Sequence, residues 1–283
     1  MLSTNGCDLL GLLFCALVLP LLVSCRTEAR RAPVDVLFAF GDQYTLVKHG
    51  DFIAASYSER WDDAQVPPPA DFDETPSTIL MTPADFDSIW ADLCRIDFSR
   101  YADPATLKFR RTPPDQQARE ILKYVVDSDT IVNWLQSYQR LESPARDPLQ
   151  TIVDRLAATF ERRRADLVLP AALTIFLEDA ALGQWDVASV ESTCQLTRAG
   201  IAVQLPPRDY KELWRLLVDL RLLGREFSTA QEETPPTQRF RHGLKVNGFA
   251  VRTDAVELDK GHSAAIGKLA ARLDSLWNQN RSQ

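Results

Sequence analysis

Chemically reactive residues are scarce in this sequence. Its 283 residues include three histidines and five cysteines, and none falls in a pattern that supports catalysis. His49, His242 and His262 stand alone: there is no HExxH pair, no adjacent cysteine pair, and His262-Ser263 lacks the GxSxG frame of a hydrolase elbow. All three read as turn or strand-end residues. No glycine-rich loop is placed to cradle a phosphate, and no CxxC or His/Cys cluster has zinc spacing. The expectation is therefore no catalytic residue, no metal and no cofactor. Basic excess is missing too. The formal net charge is −7, and residues 1–24 hold Asp8 as their only charged side chain, so the remainder stays acidic without them. That removes the general electrostatic attraction on which nucleic-acid binding rests, and no nucleic-acid partner is expected. Also absent is an uninterrupted apolar run of the ~20 residues that a membrane-spanning helix needs.

What the chain does have is ordinary globular material, 45% hydrophobic and 25% charged, enough for a substantial core. Its longest apolar stretch, residues 9–23 (LLGLLFCALVLPLLV), has the length and position of a signal-peptide core. It runs into Leu22-Val23-Ser24-Cys25, which resembles the lipobox of bacterial lipoproteins. In that family a peptidase cuts before the cysteine, which carries diacylglycerol on its thiol and a further acyl chain on its amine. The resemblance implies that Leu22 fills the large apolar slot, that Val23 and Ser24 complete the recognition site, and that Cys25 is lipidated. Arg26 after the cysteine, rather than Asp, implies the outer membrane if the organism has two membranes. One feature departs from the pattern: the first eleven residues hold no Lys or Arg, and positive charge comes afterwards, at Arg26, Arg30 and Arg31. An uncleaved anchor with its C-terminal side in the cytoplasm is the competing reading.

The body opens with a tether, RTEARRAP (26–33), and a strand pair over 34–47 and 52–57 around a turn at His49-Gly50-Asp51. Pro67-Pro68-Pro69 with Asp62, Asp63, Asp71, Asp73 and Glu74 marks a solvated loop; its acids lack the ligand spacing and glycine of a calcium loop. Next comes a well-signposted helix start: Thr82 to cap, Pro83 at the first position, Asp85 at the positive end, and Met81 with Phe86 as a hydrophobic staple. Phe86, Ile89, Trp90, Leu93 and Ile96 then share one face. Residues 112–183 read as helices only: 121–125, 131–141, a helix starting at Asp147-Pro148 with Leu149, Ile152, Val153, Leu156 and Phe160 inside, and a last one from Pro170 to a stop at Gly183. Strands return around Ala199-Gly200 and around Asn247-Gly248, the latter the strongest short hairpin signal. A helix with Ile266, Leu269, Leu273, Leu276 and Trp277 on one side closes the chain. Trp90, Trp134, Trp214 and Trp277 read as core. Two basic groups, Arg162-Arg163-Arg164 and Arg239/Arg241/His242/Lys245, read as a solvated helix end and an exposed strand face.

Residues 81–96 (MTPADFDSIWADLCRI) align without gaps to 205–220 (LPPRDYKELWRLLVDL), matching Pro83 with Pro207, Asp85 with Asp209, Phe86 with Tyr210, Trp90 with Trp214 and Leu93 with Leu217. This is either a duplicated unit or two amphipathic helices that both start at proline. The fold class expected is α+β: antiparallel strand pairs each followed by an amphipathic helix, with a four-helix all-α block between the first and second units. The divisions expected are a signal peptide (1–24), lipidated cysteine and tether (25–33), a strand-helix unit (34–101), a helical block (102–190) and a second strand-helix unit with hairpin and C-terminal helix (191–283), or one domain over 34–283. Cys94 and Cys194 are the only body thiols; Cys94 reads as a packed residue beside Trp90, and a disulfide between the two is the other reading. The function expected is that of a membrane-anchored cell-envelope lipoprotein, held by its N-terminal lipid and acting as a non-catalytic binding or scaffold module for an envelope protein or peptide. The alternative is an envelope hydrolase whose site is assembled from sequence-distant residues.

Overall fold

The computed structural model describes residues 33–41, 43–59, 75–111, 119–179, 183–190, 193–224, 240–252 and 260–281. The first strand, β1 (Asp35–Phe40), alternates so that Val36, Phe38 and Phe40 point one way and are buried. Gly41, at φ +73°, ends it, and β2 (Tyr44–His49) runs back beside it. The single strand expected over 34–47 is therefore two, because only glycine takes that backbone turn without strain. β3 (Phe52–Tyr57) and β4 (Ser77–Leu80) complete a four-strand meander.

Helix α1 (Pro83–Leu93) follows with the capping expected: the Thr82 hydroxyl accepts from the Asp85 amide at 3.2 Å, and the Asp85 carboxylate accepts from the Thr82 amide at 3.0 Å. Two single 3₁₀ turns (Phe98–Tyr101 and Pro104–Thr106) lead to β5 (Phe109–Arg111). Then β6 (Arg119–Val126) pairs with β1 on the side opposite β2, β7 (Asp129–Ser137) lies outside β6, and β8 (Gln139–Leu141) pairs with β5. Helix α2 (Arg146–Ala165) closes this half, burying Leu149, Ile152, Leu156 and Phe160.

The second half repeats the first. β9 (Ala172–Asp179), β10 (Gly183–Val190), β11 (Thr193–Arg198) and β12 (Ile201–Leu205) form a meander; α3 (Pro207–Asp219) follows; β13 (Phe240–Val246) returns beside β9; β14 (Phe249–Arg252) lies outside it; α4 (Lys260–Asn280) ends the unit. The two six-stranded antiparallel sheets have the same order, β4-β3-β2-β1-β6-β7 and β12-β11-β10-β9-β13-β14. The aligned segments 81–96 and 205–220 occupy equivalent places, each leaving the last strand of a meander to start a proline-led helix.

The α+β class holds, but the four-helix block does not exist. Of the helices expected between 112 and 183, only α2 forms among the described residues. Leu122 and Tyr124 on β6, Val132 and Trp134 on β7, and Leu173, Ile175 and Leu177 on β9 are buried alternately, which is the period of a strand. Asp127 and Ser128, between the helices expected at 121–125 and 131–141, sit at φ +47° and +73° and form the β6–β7 turn. Gly183 opens β10 rather than ending a helix. The unit boundaries expected at 102 and 190 do not coincide with the repeat, which turns over between α2 and β9. Residues 35–283 form one compact unit.

The repeats meet through a few specific contacts. Phe249, at the β13–β14 hairpin, stacks on Phe52 with ring centroids 4.7 Å apart and meets His49 edge-on at 5.2 Å. Arg221 donates to the Thr75 carbonyl at 3.0 Å. Gly224 lies so close to Pro76 that a Cβ there would sit 1.7 Å from the Pro76 carbonyl oxygen.

Candidate functional site

Among the described residues, a dense charged cluster joins α1 to α2. Asp85 is buried, and its two oxygens accept from Arg162 at 2.6 Å, from Arg163 at 2.7 and 3.2 Å, and from the Thr82 hydroxyl at 2.7 Å. Burial alone raises its pKa, but the hydrogen bonds from Arg163 and Thr82 outweigh that and hold it down to about 2. A turn further along, Arg155 reaches Asp92 at 2.6 Å and the Ser88 carbonyl at 3.2 Å. The Arg162-Arg163 pair is thus a helix-to-helix clasp, not the solvated helix end expected. With every Asp85 oxygen engaged by fixed donors, it has no proton to exchange near neutrality and holds structure rather than doing chemistry.

Other buried polar groups are tied in the same way. Glu120 accepts from the Leu141 amide and lies 3.6 Å from Arg146, fastening β8 to β6. In the second repeat the Ser189 hydroxyl and the Tyr210 phenol are bonded at 2.9 Å, and the phenol donates to the Pro170 carbonyl. Cys194 lies within that core, where burial pushes its thiol up to about 12, far from a thiolate at neutral pH.

The outer face of the first sheet, away from α1 and α2, is different. It carries Leu37 and Ala39 on β1, Val47 on β2, Ile121 and Val125 on β6, and Leu135 on β7, with Ile131 41% and Leu135 55% exposed; a polar row of Thr45, Lys123 and Asn133 crosses it through Ala39. Registers place Val47, Leu37 and Val125 in one row and Ile121 beside Leu135 in another. Toward β3 the face is closed by Phe249 of the second repeat, stacked on Phe52, and Gly224 joins it in lining the cavity there. Where closure stops, a groove of about 570 Å³ opens, lined by Leu37, Val47, Val125, Phe249 and His49 among others. On the second sheet the corresponding face is mainly polar: Thr174 and Phe176 on β9, Asp186 and Ala188 on β10, Gln195 and Thr197 on β11, Lys245 on β13. Two sheets of one topology therefore differ on the same face: the first leaves more apolar side chains there, on either side of its Lys123 row, and exposed apolar surface is what interaction sites use.

His49, the last residue of β2, sits at the groove rim with its Nδ1 2.7 Å from an Asp35 oxygen. Ser58 and Ser128 also line the groove, yet among the described residues no hydroxyl or thiol is bonded to His49. Among the described residues there is likewise no group of three or more metal-ligating side chains, and no helix long and apolar enough to cross a membrane.

The remaining sequence-derived residues separate as follows. Leu22, Val23, Ser24, Cys25 and the acidic loop of 62–74 lie outside the described residues, as do the side chains of His242 and His262. Cys94 caps the end of α1 and is exposed, not packed, while Cys194 is buried on β11; both are free thiols, so the structure does not bring them together. Trp134, Trp214 and Trp277 are buried, and Trp90 is partly so. The outer-face residues were missed because 121–125 and 131–141 read as two helices, and helices assign Ile121, Ile131 and Leu135 to no common sheet face. No protein family, curated protein or solved structure matches the chain.

Proposed function

We propose that this chain is a lipid-anchored cell-envelope module that binds an envelope protein or peptide on the outer face of its first sheet without turning it over. The reading of the anchor rests on Leu22-Val23-Ser24-Cys25, and with Arg26 following, it assigns the outer membrane in a two-membrane cell. The observation that carries the binding reading is the contrast between two sheets of the same topology, one face mainly polar and its counterpart richer in apolar side chains and grooved. The groove begins at Asp35, about ten residues beyond Cys25, a span of at most ~35 Å when fully extended. Tethering at that distance keeps the surface near the membrane and raises its effective concentration toward envelope components.

One observation favours the alternative of an envelope hydrolase: the His49–Asp35 pair at the groove rim, which is the base-and-orienter half of a nucleophilic site. A single set of cell experiments separates the two. Photo-crosslinkers at Val47 and Ile121 should capture a discrete partner that crosslinkers at Thr174 and Gln195 do not, and the mature protein should have the mass of a chain starting at an acylated Cys25. Equal capture from both sheets, or peptides from residues 1–24 in the mature protein, would refute the proposal. Hydrolase turnover abolished by His49→Ala in a folded protein would replace it with the enzyme.

A further inference from the structure

We propose that β7 is a dimerisation edge, pairing antiparallel with β7 of a second copy of this chain. It is the last strand of the first sheet and is nine residues long. An outermost strand presents a row of unpaired amides and carbonyls, and folds that stay apart guard such edges with lysine, proline or a cover. β7 reads DTIVNWLQS, with no lysine, arginine or proline; it packs on the Phe98–Tyr101 turn through buried Trp134, which donates to the Tyr101 carbonyl at 3.2 Å, but among the described residues its backbone bonds only to β6. Of the other terminal strands, β4 is four residues long and packs against α3, and β12 is five. One irregularity interrupts β7, opposite Tyr124 and Val125 of β6, leaving 132–137 regular.

The partner is identified by the charges at the two ends of the strand. At its start lie Asp127 and Asp129; just past its end lie Arg140 on β8 and, on the strand paired to it, Arg110 and Arg111. All five are exposed, and Asp129, Arg110, Arg111 and Arg140 make no ion pair among the described residues. A second copy running antiparallel sets the acidic end of each strand against the basic end of the other; a parallel one would set like against like. A two-fold through Asn133 also brings Leu135 toward the partner's Ile131, the exposed residue that the β6 register skips, so the exposed apolar side chains of both copies lie at the seam. The same surface on both copies satisfies the self-complementarity that a two-fold interface demands. The result is a continuous twelve-stranded sheet with two grooved faces side by side, so that a dimer would present its apolar surface twice to one partner. The inference does not depend on what that surface binds.

The test uses the full chain solubilised from membranes in detergent, with mass measured by light scattering across a concentration series. A concentration-dependent dimer is expected, weakening as salt rises. Ile131→Lys combined with Leu135→Lys should leave a monomer with an unchanged circular dichroism spectrum. Asp129→Lys and Arg140→Glu should each weaken dimerisation by about tenfold, since the two-fold counts each contact twice, and the two together should restore it. A monomer at every concentration, a dimer indifferent to the lysine pair, or a charge swap that fails to restore association would overturn the proposal.

Discussion

Replacing Asp85 with asparagine should convert a pH-dependent part of this protein's stability into a pH-independent one. The side chain is 7% exposed, and its carboxylate is held at about 2 against an ordinary 3.8, with burial opposed and overcome by hydrogen bonds from Arg163 and Thr82. A carboxylate whose pKa is lower folded than unfolded contributes stability that is fully present above the unfolded value and is lost as pH falls through the folded one. The shift corresponds to about 2 kcal/mol at neutral pH, lost between about pH 5 and pH 2. Asp85→Asn keeps an oxygen to accept from the Thr82 amide but removes the charge facing Arg162 and Arg163, so its cost should be about 2 kcal/mol at pH 7 and should shrink steadily below pH 5. Urea unfolding followed by tryptophan fluorescence, run on both proteins at a series of pH values, reads this difference; taking the difference cancels the other carboxylates. A gap between the two proteins that stays constant from pH 7 to pH 3 would refute the clasp as the origin of the shift.

Two more perturbations probe the frame around the proposed surface. Gly224→Ala puts a methyl 1.7 Å from the Pro76 carbonyl oxygen, a backbone atom that cannot swing aside, and should cost about 3 kcal/mol, read as a fall in Tm. In native protein, brief alkylation should label Cys94 and spare Cys194, whose thiol is buried and pushed up to about 12; labelling of Cys194 at the same rate would mean that the second core opens readily.

Sequence by itself determined the features whose physics is confined to a few neighbouring residues. The α1 cap is settled within Thr82, Pro83 and Asp85, and the Asn247-Gly248 hairpin by two residues that tolerate φ +48° and +85°. The buried stripes of α2 and α4 follow from apolar spacing along one helix, and the likeness of 81–96 to 205–220 pointed to equivalent places in the two repeats. Tertiary structure decided the rest, because the deciding partners lie far off in the chain. Residues 119–137 hold enough leucine, isoleucine and valine to suit a helix or a strand. They become strands because β1 offers an unpaired edge on which Leu37 and Phe38 align with Val125 and Tyr124, some ninety positions on. Asp85 reads locally as a cap; that it also clamps Arg163 is set by how α1 packs on α2. Which sheet face stays apolar and open, and which strand ends at a free edge, follow only from that pairing. A one-residue change of register would exchange the faces, so the surface proposed for binding exists only once the sheet has closed.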